Sequence, residues 1–209
     1  VTAPAGKIVL TAVTPLRLSD VALLEKKRPQ LSGLVIETKP VIEYAGPTSL
    51  KIQTGEVVVR NAAKQTLMTL KGDIIQSTGT EMQAALAFTL EIPALSGQPL
   101  FAGARGVSAG RASGEVRAAT GVHTQLEARL TLNGLISAES GQTMPVANLN
   151  FRGLVQPNGA VSIQAPLLID NAGNRSDLNF ALELSPLAHG YSVDGRLTGQ
   201  HVDLLDFLG

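Results

Sequence analysis

The stretch TQLEARLTLNGLI (residues 124–136) decides the fold class, because apolar and polar side chains alternate along it. A period of two residues is that of a β-strand, in which successive side chains point to opposite faces. Antiparallel sheets with one dry face and one wet face have this pattern. The stretch therefore predicts a long strand whose apolar face is formed by Leu126, Ala128, Leu130, Leu132 and Ile136.

The same alternation recurs in LAFTLEI (86–92), SDLNFALEL (176–184) and YSVDGRLTG (191–199). Turn-forming sequences separate the alternating runs, and Pro157-Asn158-Gly159 is the clearest hairpin signal. We expect roughly ten to thirteen strands joined by sequential hairpins. The fold class is therefore all-β, a large twisted antiparallel sheet meander curled into a groove or flattened barrel, with one or two short helices. Further turns are expected at residues 53–56, 60–65, 170–174 and 186–190.

Two segments lack the alternation and predict the short helices. In LSDVALLEKKRP (18–29), Ser19 is a suitable N-cap, the apolar residues recur at helical spacing and Pro29 ends the run. The segment HVDLLDFL near the C-terminus has a similar apolar spacing. We expect helical turns at residues 18–28 and 202–208. The Gly-rich and Ala-rich residues 101–121 predict a mobile loop or a weak pair of small-residue strands.

Charge and composition exclude several classes of function. Lys and Arg total 17, as do Asp and Glu, so the formal net charge is zero and nucleic acid is not an expected partner. The chain has no cysteine, which excludes disulfides, thiolate metal sites and a cysteine nucleophile. A 44% hydrophobic content with 16% charged residues is typical of a folded domain.

No catalytic motif is present. There is neither a Walker A sequence nor a G-x-S-x-G elbow, and His123, His189 and His201 are isolated from one another in the sequence. The carboxylates of the alternating runs are single residues on separate strands. We therefore expect no enzyme activity, no catalytic residue, no cofactor and no metal site.

The apolar face of the expected sheet needs a cover, which a second sheet, a helix or a ligand can provide. The sequence contains no long amphipathic helix. The sheet therefore either packs against itself as a sandwich with a closed core, which the residues alone favour, or curls and holds an apolar ligand. In the second case the expected lining is Leu86, Phe88, Leu90, Leu126, Leu130, Leu132, Phe151, Phe180 and Leu182.

An internal echo relates the two ends of the chain. LRLSDVALL (16–24) and LTGQHVDLL (197–205) share the pattern L-x-x-x-x-V-x-L-L, and the first is followed by a restart at Leu31-Ser32-Gly33-Leu34. Between them, Leu67-x-x-Leu70-x-Gly72 follows a turn that contains Asn61.

These segments resemble the AsmA-like family, which includes TamB-type and related bridge-like lipid carriers. In that family a strand precedes a V-D-L-x-x-L-L segment and an L-S-G-x-L restart. The second copy matches with Val202-Asp203-Leu204-Leu205, whereas the first departs from the pattern because Ala22 replaces the Asp. The family has no invariant catalytic residues, so the resemblance transfers none.

The resemblance implies that residues 1–209 are one AsmA-like β domain, a fragment of a longer protein anchored in a bacterial membrane. It implies a periplasmic location, with lipid or another apolar ligand as partner, contact with the membrane through parts outside this chain, and further envelope proteins as possible partners. The expected function is to bind or conduct lipid in support of outer-membrane assembly or lipid homeostasis. The alternative is a structural or adhesive extracellular β-sandwich with a closed core.

Overall fold

The computed structural model of the protein describes residues 6–46, 49–77 and 81–202. In these residues, fourteen antiparallel strands form one hydrogen-bonded sheet, which confirms the all-β prediction. The sheet is not closed into a barrel. The strand count slightly exceeds the roughly ten to thirteen expected from the turn signals.

The second half of the sheet is a regular meander, as the sequential hairpins predict. Each strand pairs with the next one along the chain, and a tight turn at Ala172-Gly173 joins two of the longest. The expected turn at Pro157-Asn158-Gly159 also separates two strands. The strands of the meander are β7 (Thr66–Ser77), β8 (Glu81–Glu91), β9 (Val107–Thr120), β10 (Thr124–Ser137), β11 (Val146–Val155), β12 (Val161–Asn171), β13 (Asn174–Leu187) and β14 (Gly190–Gly199).

The first half of the sheet forks at β7. One part of β7 pairs with β6, which leads to β3 and β2, and the other part pairs with β5, which leads to β4 and β1. Gly72 lies between the two parts, and its carbonyl accepts hydrogen bonds from the backbone N–H and the hydroxyl of Thr54, at 2.9 and 2.8 Å. The strands of the two arms are β1 (Ile8–Thr11), β2 (Leu16–Glu25), β3 (Arg28–Thr38), β4 (Val41–Tyr44), β5 (Ser49–Gln53) and β6 (Val57–Arg60).

One face of the sheet is apolar across both halves. Directly opposite residues of antiparallel strands share a face. The register places Val59 opposite Met68 and Met68 opposite Leu90. Ala112 lies opposite both Leu90 and Leu132. The face that these five residues share is called the apolar face below, and the opposite one the polar face. The prediction that Ile136 shares the face of Leu132 is wrong, because a register shift after Asn133 places Ile136 opposite Ala109, out of phase with the Leu132–Ala112 pair.

Two short helical segments between β8 and β9 cover one end of the apolar face. They are α1 (Ile92–Leu95) and a 3₁₀ segment (Pro99–Gly106) that is kinked at Phe101. Leu95 packs with side chains of β3, β6 and β7, to which Phe101 also packs. We call these two helical segments and the residues between them the helical insert. The core cluster below it is Leu34, Val59, Leu67 and Leu95.

Gln98 fastens the helical insert to β3. Its side-chain Oε1 accepts from the backbone N–H of Ser32 at 2.9 Å, and its Nε2 donates to the Ser32 carbonyl at 3.3 Å. The Gln98 amide therefore pairs with both backbone groups of Ser32. Ser32 belongs to β3 but lies outside the part of β3 that pairs with β6, which begins at Val35. This pairing holds the insert against the sheet as a neighbouring strand would.

The predicted helix at residues 18–28 is wrong. This segment belongs to strand β2 and to the turn at Lys26-Lys27 that leads into β3. Leu18 lies opposite Ile36 but Val21 lies opposite Leu34, so β2 contains a bulge, at which Asp20 has a φ of 57°. Because a bulge adds a residue, apolar side chains three positions apart share a face, which imitates helical spacing.

Two further expectations concern the segments at 101–121 and 202–208. The Gly-rich segment ends the helical insert and then forms β9, a fourteen-residue strand between β8 and β10. The predicted loop is therefore wrong, and the small residues form one interior strand rather than a pair of weak ones. The predicted helix at 202–208 lies outside the described residues except for Val202, which is not helical.

Candidate functional site

The nine predicted lining residues all lie on the apolar face. Leu86 and Leu130 belong to it through their cross-strand partners Val116 and Gly114. Further along the sheet, Phe180 lies opposite Ala165. The nine residues extend from β8 to β13 and form a broad surface rather than one compact cluster. The complete set is Leu86, Phe88, Leu90, Leu126, Leu130, Leu132, Phe151, Phe180 and Leu182.

Beyond the helical insert, much of the apolar face is exposed, although Ile169 and Ser176 on the same face are only 8% and 0% exposed. Leu67 of the covered end is only 1% exposed, whereas Phe180 is 41% exposed and Val193 and Leu197 are each 67% exposed. The principal contacts of β10 to β14 are with the strands to which each is hydrogen-bonded. The described residues therefore form a single layer in this region, without the second sheet that a closed sandwich requires.

Glycines and aromatic rings shape the boundary of the uncovered region. A Cβ on Gly114 would lie 1.9 Å from the carbonyl oxygen of Arg129 and 2.9 Å from Cζ of Phe88. Phe88 is directly opposite Gly114 in the register, so its ring occupies the space that a side chain at 114 would need. Phe151 similarly approaches the position of a Cβ on Gly153, at 3.2 Å. Glycine inside a strand is the sequence feature that such close approaches leave, although the Gly-rich composition of residues 101–121 predicted a loop or weak strands instead.

The polar face carries a lattice of opposite charges. Lys51 and Asp73 are 3.3 Å apart, and Arg117 and Glu115 are 3.2 Å apart. These side chains are substantially exposed, so each pair contributes little to the stability of the fold. The lattice keeps this face hydrated, which leaves the opposite face as the surface that gains most from contact with an apolar partner.

Two shallow hollows lie on the polar face. One, of about 360 Å³, is lined by Asp73, Gln83 and Arg117 among others, and the second, of about 410 Å³, lies beside Arg129 and Asn150. Of the nine predicted lining residues, Phe151 lines the second hollow, and the other eight line neither of the two. A ligand of the apolar face would therefore lie along an open surface and would not enter either of these hollows.

The described residues show no cluster of metal-ligating side chains. In these parts of the chain, no three His, Asp or Glu side chains come together in a way that would hold a metal ion. Within residues 6–46, 49–77 and 81–202, no helix has both the length and the hydropathy needed to cross a membrane.

Comparisons with known proteins give no match. No family model matches the chain, and neither the curated proteins nor the solved structures include one that matches it significantly. The apolar face and the sequence resemblance described above therefore remain as the indications of function.

Proposed function

We propose that this chain is a non-enzymatic cell-envelope protein that binds or conducts lipid along its apolar face. In the cell it would support outer-membrane assembly or lipid homeostasis. The observation that carries the proposal is the exposed apolar surface that runs from Leu126 of β10 through Phe180 of β13 to Leu197 of β14. Large exposed apolar surfaces on soluble proteins mark sites of contact with membranes, ligands or other proteins.

The dimensions and chemistry of this surface suit acyl chains. From β8 to β14 the sheet has six inter-strand spacings of about 4.8 Å, or about 29 Å in all. This is close to the thickness of a bilayer's hydrocarbon core, about 30 Å. Each methylene buried on the surface contributes about 0.8 kcal/mol, so even a partly covered acyl chain gains several kcal/mol.

Among the described residues, polar side chains that the register places on this face, such as Thr120 and Ser176, lie towards the ends of their strands and leave its centre apolar. Cross-strand neighbours on it are aliphatic or small, as where Leu149 lies opposite Leu167 and Leu182 lies opposite Gly195. A lipid would leave its head group in water at the rim of the sheet, where charged side chains of the polar face begin. Binding of this kind is governed by apolar area and selects poorly between lipid species.

The location and partners of the protein follow from the resemblance to the AsmA-like family. We place the protein in the periplasm of a bacterium, held at a membrane by parts outside this chain. Its partners would be lipid and other envelope proteins, with no nucleic acid among them. The zero net charge of the chain agrees with the last point.

Native mass spectrometry with a matched pair of variants tests the proposal. Leu126→Glu places a charge on the apolar face, whereas Gln125→Glu places the same charge on the adjacent residue of the polar face. We expect phospholipid adducts with the wild-type chain and with Gln125→Glu, and a loss of at least about tenfold in adduct intensity with Leu126→Glu. A wild-type chain that remains free of adducts throughout a titration with phospholipid would contradict the proposal.

A further inference from the structure

Strand β14 has a long free edge. It pairs with β13 over its whole length, Gly190 to Gly199, without an interruption in register. Its outer side has no strand partner among the described residues, and all ten of its residues are exposed. A regular unpaired edge presents a row of backbone donors and acceptors to which another strand can bind.

The other two free edges are poor templates for strand addition. The ladder between β2 and β3 has three irregularities of register, and Asp20 within β2 has a left-handed backbone. Bulges of this kind twist an edge away from a flat partner. Strand β1 has only four residues, which is too short for a stable ladder. Among the described strands, β14 therefore offers the most suitable edge.

We propose that β14 pairs antiparallel with β14 of a second copy of this chain, about a twofold axis through Gly195. In this register Asp194 lies opposite Arg196 of the second copy, and Arg196 lies opposite its Asp194. On the other face, Val193 and Leu197 meet in the same reciprocal way. Within one chain, Asp194 lies opposite Glu183 on the polar face, and Val193 lies opposite Leu184 on the apolar face. The charge pairs of the dimer therefore lie on the polar face and its aliphatic pairs on the apolar face.

Neighbouring registers are unfavourable. An axis through residue 194 brings two Asp194 carboxylates face to face, and an axis through residue 196 does the same with two Arg196 side chains. Like charges directly opposite one another destabilise a strand pair. A slip of a single residue would oppose apolar and polar side chains. The axis through Gly195 is the one that pairs both charges and keeps both faces matched.

The resulting dimer would continue the apolar face from one copy into the next. Val193 and Leu197 are each 67% exposed in the single chain, and they would gain aliphatic neighbours across the axis. An interface with the same patch on both copies closes on itself, so the assembly stops at two chains. This inference does not depend on lipid binding, because the edge and its charges alone define the pairing.

Charge exchange between two variants tests the register. Asp194→Arg alone places an arginine opposite Arg196 of the second copy, and Arg196→Asp alone places an aspartate opposite Asp194 of the second copy. Either change should raise the dimer dissociation constant by about tenfold or more. Mixed in equal amounts, the two variants regain both opposite-charge pairs and should form a 1:1 heterodimer. Analytical ultracentrifugation of the wild type, of each variant and of the mixture measures these outcomes.

Arg152→Asp is the matched control, because it makes the same change on the polar face three strands away, and it should dimerise like the wild type. Circular dichroism of each variant establishes that it is folded. A monomeric wild type, undiminished dimers of the single variants, or assemblies larger than two chains would each overturn the proposal.

A disulfide gives an independent measurement in case a charge variant does not fold. The chain has no cysteine, so a single introduced thiol can pair only with a second copy. Gly195→Cys places the two thiols opposite each other at the axis and should give a covalent dimer on mild oxidation. Thr198→Cys should not, because its copies would be about 20 Å apart along the strands. Cross-linking of Thr198→Cys but not of Gly195→Cys would overturn the register.

Discussion

The two ends of the apolar face both carry aliphatic side chains but differ in what covers them. At the end formed by β3, β6, β7 and β8, the helical insert buries a small core. At the other end, Phe180, Val193 and Leu197 of β13 and β14 remain exposed. Alternation therefore creates an apolar face but does not provide its cover. The covered end stabilises the fold, and the exposed end is the surface that we propose binds lipid.

Truncation of a core side chain should separate the two ends most clearly. Leu67→Ala removes one of the most completely buried side chains and should lower the free energy of unfolding by about 3 kcal/mol. Leu197→Ala makes the same chemical change at the exposed end and should alter it by less than about 0.5 kcal/mol. Urea denaturation of both variants measures the difference. Equal losses would indicate that the exposed end is packed in solution.

The boundary between the two ends should be almost as sensitive. Gly114→Ala places a Cβ against the carbonyl oxygen of Arg129 and the ring of Phe88, and the strands must shift to accommodate it. We expect a loss of about 2 kcal/mol in the free energy of unfolding. Gly97→Ala in the helical insert is the control, because a Cβ there has no atom within 4 Å, and it should change the free energy by less than about 1 kcal/mol. A neutral Gly114→Ala would contradict the close approach.

Detachment of the helical insert should have the smallest effect on global stability but a clear local one. Gln98→Leu removes both hydrogen bonds to Ser32 and should cost about 1–2 kcal/mol. Amide hydrogen exchange should accelerate in residues 92–102 while β11 to β14 keep their protection. Gln142→Leu, at an exposed position, should change neither quantity. Unchanged exchange in the insert would show that Gln98 does not hold it.

The sequence predicted the strands best where the alternation is unbroken. Residues 124–136, 176–184 and 191–199 lie in strands β10, β13 and β14, and the nine lining residues share one face. A period of two residues places alternate side chains on one side of a strand regardless of what surrounds it. The hairpin turns are also local in origin, since Asn, Gly and Pro fix the backbone within a few residues.

The errors arose where a distant contact overrides the local pattern. The bulge in β2 depends on its pairing with β3, so the spacing of Leu18 and Val21 in isolation resembles a helix. Strand β9 is poor in large side chains, and its place in the sheet depends on β8 and β10, which approach its small residues closely. The sequence did not predict the helical insert at 92–106, because Leu95 and Phe101 are positioned by packing with a core cluster whose other members lie far away in the chain.

By itself, the sequence determined that this protein is an antiparallel β-sheet with one aliphatic face and one charged face, because side-chain alternation and turn chemistry act over a few residues. Only the tertiary structure decided that the sheet forks at β7, that the helical insert covers one end, and that the outer side of β14 has no strand partner among the described residues. These features depend on hydrogen bonds and packing between residues far apart in the chain. Pairs such as Gln98 with Ser32 carry no local signal in the sequence.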